Sequence, residues 1–156
     1  MDPLLRPPAP RETPPVEIRP LTSEDRADAV ALWHRTGLTR PWNPPDEDFD
    51  RAAGGPSSTV LGGFADGQLV ATAMVGHDGH RGWVYYVAVH PDRRSGGLGR
   101  AMMQAAAGWA RAAGIPKLQL MVRSGNTGAL GFYEALGFAV EEIALLSCWI
   151  GPDGPG

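Results

Sequence analysis

The chain has 156 residues, 43% hydrophobic and 20% charged, a composition that fits a globular protein and excludes a disordered one. Fourteen Lys and Arg against 17 Asp and Glu leave a formal net charge of −3, which argues against bulk binding of nucleic acid through a basic surface. The single cysteine can form no internal disulfide, no apolar run approaches the roughly 18 residues of a membrane span, and the N-terminus has no charged-then-apolar signal, so a cytoplasmic, reducing home is expected.

Residues 1–15 carry Pro3, Pro7, Pro8, Pro10, Pro14 and Pro15 and are expected to form a flexible tail, because proline donates no amide and stiffens the chain. One domain is expected over residues 16–150, and 151–156 (GPDGPG) read as a second loose end. Val16 to Pro20 reads as a strand. Thr22 or Ser23 then caps a helix that Gly37 ends, with Glu24 and Asp25 in its first turn. The prolines of Arg40-Pro41-Trp42-Asn43-Pro44-Pro45 demand a loop, and Asp46 to Ala53 reads as a short second helix. Thr59 to Ala65 and Gln68 to Gly76 flank Asp66-Gly67, a hairpin turn signal. Trp83 to Val89 is the next strand. Leu98, Ala101, Met102, Ala105, Trp109 and Ala112 recur at helical spacing and predict a helix from Gly97 to Ala113. A strand over Lys117–Val122, a helix over Thr127–Leu136 and a closing strand or strands over Phe138–Ile150 complete the pattern, with Cys148 expected as a small buried hydrophobe. The class is α/β (α+β), a mixed sheet covered by helices in the order β-α-α-β-β-β-α-β-α-β-β.

Arg93-Arg94-Ser95-Gly96-Gly97-Leu98-Gly99-Arg100 joins a strand to an amphipathic helix. Its glycines let the backbone approach a ligand closely, and the helix start leaves amides unpaired at the positive end of the macrodipole. Together these suit phosphate, with Arg93, Arg94 and Arg100 adding charge. The pattern alone is equally compatible with a glycine-rich turn that merely starts a helix. It is not a Walker A motif, since no Lys-Ser or Lys-Thr follows the last glycine, and it lacks the Gly-x-Gly-x-x-Gly spacing of a dinucleotide fold.

Arg94-x-x-Gly97-x-Gly99, placed after the strand end Val87-Ala88-Val89-His90-Pro91, resembles the acetyl-CoA signature of the GNAT (Gcn5-related N-acetyltransferase) superfamily. Asn126-x-x-Ala129-x-x-Phe132-Tyr133-Glu134-x-x-Gly137-Phe138 resembles the family's second motif, in the right order and over roughly residues 16–150. More narrowly, Arg40-Pro41-Trp42-Asn43-x-Pro45 and Gly76-His77-Asp78-Gly79-His80-Arg81-Gly82 are similar to the YpeA-like bacterial subgroup. The resemblance implies the GNAT acyl-CoA N-acyltransferase fold, with about six or seven strands and about four helices, and acetyl-CoA as co-substrate without a metal. It implies that Val87, Ala88 and Val89 pair with pantetheine like an added strand. Arg94, Ser95, Gly96, Gly97, Leu98, Gly99 and Arg100 would cradle the pyrophosphate, with Asn126 and Tyr133 completing the site. One departure matters: many relatives read Arg-Gly-Arg/Lys-Gly where this chain has Arg94-Ser95-Gly96-Gly97, so one cationic side chain is missing.

Acetyl transfer to an amine needs deprotonation of the ammonium, stabilisation of the oxyanion and departure of the thiolate. Tyr133 matches the tyrosine that many family members use as general acid, although a phenol beside Phe132 is equally suited to core packing. The carboxylates that relatives use as base are absent, their positions being taken by Trp83 and Met121. His80, Asp78 and Tyr85 are the remaining base candidates, unless the acceptor arrives neutral. His77, Asp78 and His80 are metal-ligand types, but no further ligand cluster accompanies them. Arg40, Trp42, Asn43 and Asp46 are candidates for the acceptor side, and Asp46, Glu47, Asp48 and Asp50 would favour a cationic acceptor if they faced the cleft. The expected partners are acetyl-CoA and a primary amine of a small molecule or peptide, with no nucleic acid and no membrane. The alternatives are a non-catalytic acyl-CoA sensor and a protein N-terminal or lysine acetyltransferase. The closing strands could pair across a homodimer interface.

Overall fold

The computed structural model describes residues 16–152 and residue 154, so the proline-rich stretch lies outside the described residues. The elements are β1 (Glu17–Pro20), α1 (Arg26–Arg35), α2 (Pro45–Ala53), β2 (Ser58–Ala65), β3 (Gln68–His77), β4 (Gly82–Val89), α3 (Leu98–Ala112), β5 (Leu118–Leu120) and α4 (Thr127–Ala135). Single 3-10 turns at Ser23–Asp25 and Pro91–Arg93 lead into α1 and the glycine loop. The strands lie in the order β1-β2-β3-β4-β5, antiparallel except for the parallel pair β4 and β5.

Local chemistry sets the boundaries. The Asp25 carboxylate accepts from the Thr22 amide at 2.9 Å and from the Arg19 guanidinium at 3.0 and 3.2 Å, fixing the entry to α1. The Arg19 hydrogen bond is the main reason its carboxyl is held below the usual carboxylate range. Helix α2 opens on Pro45, where the missing amide is one that a first turn leaves unpaired anyway. Asp66 and Gly67 both have positive φ (51° and 76°), the backbone of a type I′ turn between β2 and β3.

The sheet buries both faces. On one side α1 and α2 bring Leu32, Trp33 and Phe49 against Val60 and Ala88. On the other, α3 and Leu136 at the end of α4 pack Met102, Met103 and Ala106 on Leu61, Ala71, Ala73 and Val84. Consecutive Val60 and Leu61 therefore serve opposite cores, as the two-residue period of a strand requires.

The end of the chain departs from expectation. Among the described residues the sheet has the strands named above and no more, and Phe138–Ile150 form no strand. The Lys117 ammonium holds Glu141 beside the start of β5 at 2.6 Å, but the chain then runs on without joining the sheet. Cys148 is exposed rather than buried, a correction with the same cause: the apolar run has strand-forming side chains and no paired edge in its own chain.

Candidate functional site

The sheet opens between its last two strands. Strand β5 pairs with β4 only at Gly82–Leu118, Trp83–Gln119 and Val84–Leu120, so β4 from Tyr85 to Val89 has no strand on that edge. Backbone donors and acceptors there are free to receive an extended ligand as an added strand. The widening coincides with a bulge. Thr72 faces Ala88 and Met74 faces Tyr85, so Tyr86 and Val87 together oppose Ala73. Tyr86 takes up the extra residue in the left-handed region, at φ 51°.

The bulge changes which residues face which core. Val84 packs on the α3 side, yet Ala88, four residues on, packs on the α1 side with Tyr86. Tyr85 and Tyr86 both line one pocket of about 590 Å³, together with Asn43, Asp48, Arg51 and Met74. Tyr86 stacks on Trp33 at 3.9 Å between ring centroids and donates to Asp48 Oδ2 at 2.7 Å. Burial, and then the Asp48 hydrogen bond, push its phenol far above the ordinary range. Behind it the buried Thr72 hydroxyl accepts from Trp33 Nε1 at 2.9 Å and donates to the Tyr86 carbonyl at 2.8 Å, pinning the bulge from the neighbouring strand.

At the end of β4 the chain passes through the Pro91–Arg93 turn, where His90 Nδ1 accepts from the Asp92 amide at 3.1 Å. It then reaches the glycine loop. Ser95 (φ 69°) and Gly97 (φ 83°) are both left-handed, separated by Gly96, and Gly97 caps α3. Alternation of this kind turns successive amides toward one side, and the first turn of the fifteen-residue α3 adds its own unpaired amides. Arg94 is exposed and pairs with no acidic side chain among the described residues, whereas Arg93 lies 3.6 Å from Asp66 of the β2–β3 turn. A side chain at Gly99 would come within 2.9 Å of Phe132, so glycine there allows α4 to close on the start of α3.

That contact positions Tyr133. Its ring is half-buried between Phe132 (4.9 Å) and Phe138 (5.7 Å), both edge-on, and burial raises its phenol above the ordinary range. It borders a groove of about 710 Å³ beside β5 that also includes Met121. Asn126, the first residue of the second motif, caps α4: its Oδ1 accepts from the Ala129 amide at 3.1 Å.

The other predicted residues are scattered. Asp78 and His80 occupy the exposed β3–β4 turn, at the opposite end of β4 from the glycine loop and about 25 Å of strand away. Asp78 accepts from the His80 and Arg81 amides at 2.9 and 2.8 Å, which hold its carboxyl below the usual range. Among the described residues no group of three or more His, Cys, Asp or Glu is placed to hold a metal. Arg40 donates to the carbonyls of Gly37 and Thr39, and Trp42 is exposed; of that loop, Asn43 reaches the pocket. In the acidic helix, Asp46 and Asp50 pair with Arg26, whereas Asp48 pairs with Arg51 through Oδ1 at 2.6 Å and accepts from Tyr86 through Oδ2. Sequence reasoning did not single out Tyr86 or its link to Asp48, because a partner 38 residues away leaves no local signal.

Comparison with known proteins agrees with this geometry. The model of the acetyltransferase (GNAT) family matches residues 23–138. The aminoglycoside N-acetyltransferase AAC(6')-Iy in complex with CoA superposes with a TM-score of 0.76 at 17% identity, over 92% of this chain and 99% of that one. The ribosomal-protein-S18-alanine N-acetyltransferase of Escherichia coli gives 0.68 at 26% identity, over 78% and 76%. Glucosamine-6-phosphate N-acetyltransferase of Arabidopsis thaliana gives 0.68 at 22%, over 88% and 99%. With a split sheet, a left-handed glycine loop at the end of the free strand edge and a family model matched over most of its length, this chain belongs to the acetyltransferase (GNAT) family.

Proposed function

We propose that the protein transfers the acetyl group of acetyl-CoA directly to a primary amine of a small molecule or peptide. The observation that carries this is the unpaired β4 edge from Tyr85 to Val89 leading straight into the left-handed loop at Ser95–Gly97. Pantetheine extends along Val87, Ala88 and Val89 as an added strand, and the amides from Arg94 to Gly99 receive the pyrophosphate. Arg94, exposed beside the loop, and Arg100 in the first turn of α3 supply charge in place of the cation that Gly96 lacks. The thioester then lies in the gap between β4 and β5.

In this scheme Tyr133 protonates the departing thiolate. Burial keeps its phenol protonated at neutral pH, the form an acid needs. The same effect at Tyr85 counts against a phenolate base, so Tyr85 holds the acceptor or a water. Asp78 is held ionised by two turn amides at the far end of β4, and we assign Asp78 and His80 to the turn. The acceptor amine therefore enters neutral or loses its proton to solvent. It occupies the pocket walled by Asn43, Asp48, Arg51, Tyr85 and Tyr86, where the Asp48 carboxylate is already paired with Arg51 and Tyr86 and so presents polar rather than free anionic surface. The likeness to the YpeA-like subgroup and a cytoplasmic setting belong to the same proposal; no helix among the described residues is long and apolar enough to cross a membrane.

A second reading, an acyl-CoA sensor without turnover, is favoured by Trp83 and Met121 at the positions where relatives carry a base. Thiol release from acetyl-CoA across small amines, peptide N-termini and lysine peptides separates the readings. Turnover on small amines supports the proposal. Turnover confined to peptides narrows the proposed acceptor to a peptide or protein amine, and tight CoA binding with no turnover on any amine selects the sensor.

A further inference from the structure

We propose that the pocket between α2 and β4 takes a small amino-carboxylate, its carboxylate held by Arg51; that this ligand is the acceptor rests on the acetyl transfer proposed above. The balance of hydrogen-bond donors and acceptors around the pocket carries the inference. Its lining holds one carboxylate, Asp48, and one guanidinium, Arg51. The carboxylate is engaged at both oxygens: Oδ1 accepts from Arg51 at 2.6 Å and Oδ2 from the Tyr86 hydroxyl at 2.7 Å. With its side chain 21% exposed, little of it is left to meet a cation. The Ser58 hydroxyl is engaged as well, donating to the Ala52 carbonyl at 2.8 Å.

The donors are in the opposite state. Arg51 gives Nη2 to Asp48, and its other N–H groups meet no acceptor among the described residues, on a side chain that is 70% exposed. The pair spans one turn of α2, so it anchors one side of the guanidinium plane and leaves the rest of the fork to a ligand. The Asn43 backbone amide donates to the Arg40 carbonyl at 3.0 Å, but its side-chain amide has no partner among the described residues. Nor has the Tyr85 hydroxyl, which burial keeps in its protonated, donating form. Three unengaged donors, from the α1–α2 loop, α2 and β4, thus border one space of about 590 Å³. An acceptor-rich anion complements such a lining; a polycation does not.

Charge and shape narrow the anion. Asp48 offsets the charge of Arg51, so the lining is neutral overall and favours a singly charged group over a doubly charged phosphate. The two-oxygen edge of a carboxylate also matches the guanidinium fork. The amine of the same molecule needs one acceptor and finds the Tyr86 oxygen, whose lone pairs stay available because the hydroxyl donates to Asp48. Leu38, Ala52 and Met74 supply apolar wall for a short hydrocarbon spacer between the two groups.

The test uses the full chain, saturated with CoA for binding and supplied with acetyl-CoA for turnover. The probes are straight-chain amino-carboxylates from glycine to aminohexanoate, the carboxamide of each, and spermidine. In calorimetric titrations at least one amino-carboxylate should bind about 10- to 100-fold more tightly than its carboxamide, and the same compound should have the higher kcat/KM. Arg51→Gln should bring that ratio to about one, and Arg51→Lys, which keeps the charge without the fork, should restore part of it. Asn43→Ala, outside α2, should lower the ratio by about 2- to 10-fold and keeps the test open if the Arg51 variants do not fold. An Arg51-dependent binding preference without turnover on any amine upholds the pocket's ligand class and removes the acetyl transfer. Carboxamides or spermidine turned over as well as every amino-carboxylate overturn the inference and leave the acetyl transfer standing. Failure of every amino-carboxylate to bind, or a preference that Arg51→Gln leaves intact, also overturns it.

Discussion

Gly97→Ala isolates the backbone geometry of the loop from every side-chain effect. A methyl group built at Gly97 meets nothing within 4 Å, so no clash contributes. What remains is its φ of 83°, which costs an L-residue about 1–2 kcal/mol relative to glycine. That cost must appear in one of two places. If the free protein already holds the loop as described, the variant loses about 2–4 °C of melting temperature per kcal/mol and CoA affinity is unchanged. If the loop relaxes when CoA is absent, the melting temperature holds and the dissociation constant for CoA rises about 5- to 30-fold. Calorimetric titration with CoA and thermal melts of the same samples measure both, and the two losses should sum to about 1–2 kcal/mol. Ser95→Gly should move the same sum the opposite way, since Ser95 bears a side chain at φ 69°. A Gly97→Ala variant unchanged in both measurements would refute the left-handed cradle.

Tyr133→Phe should lower kcat by about 10²–10⁴-fold with little change in the KM for acetyl-CoA. Because burial raises the Tyr133 phenol, and the protonated form is the active one, the unmodified enzyme should lose kcat only as pH climbs through a value above about 10; the variant should lack that limb. Thr72→Val should destabilise the fold by about 1–3 kcal/mol in urea melts, because it strands Trp33 Nε1 and the Tyr86 carbonyl without enlarging the site. Asp25→Asn should lower the melting temperature at pH 7. Its folded carboxyl titrates below the unfolded value of about 3.9, so the stabilisation is complete above that pH and is lost as pH falls through the lower folded value, where variant and parent melts should converge.

The elements before residue 138 were legible because their signals are local. Asp66-Gly67 specifies its own turn, Gly37 and Gly114 stop their helices at φ 74° and 79°, and the apolar spacing from Leu98 specifies α3. The glycine loop was legible as an anion site for the same reason. The left-handed Ser95 was not, because serine gives no sign of that conformation and the strain is imposed by its surroundings. Nothing in Trp83 to Val89 marks Tyr86 as the bulged residue; the partner strand decides that, through Thr72. Phe138 to Ile150 shows the opposite limit. Its side chains announce a strand, but a strand exists only where an edge receives it, and composition does not name the edge.

The extra residue in β4 carries a consequence for how the two reactants meet. An unbroken strand would show tyrosines 85 and 86 to opposite layers of the molecule. The insertion delays the alternation by one beat, so two neighbouring phenols look into one chamber while the amides just beyond them run along an open rim. On the proposed roles, donor and acceptor are then gauged against the same eight-residue rod, one along its edge and one across its face. Their separation is written into a single φ angle, and no hinge between domains can alter it.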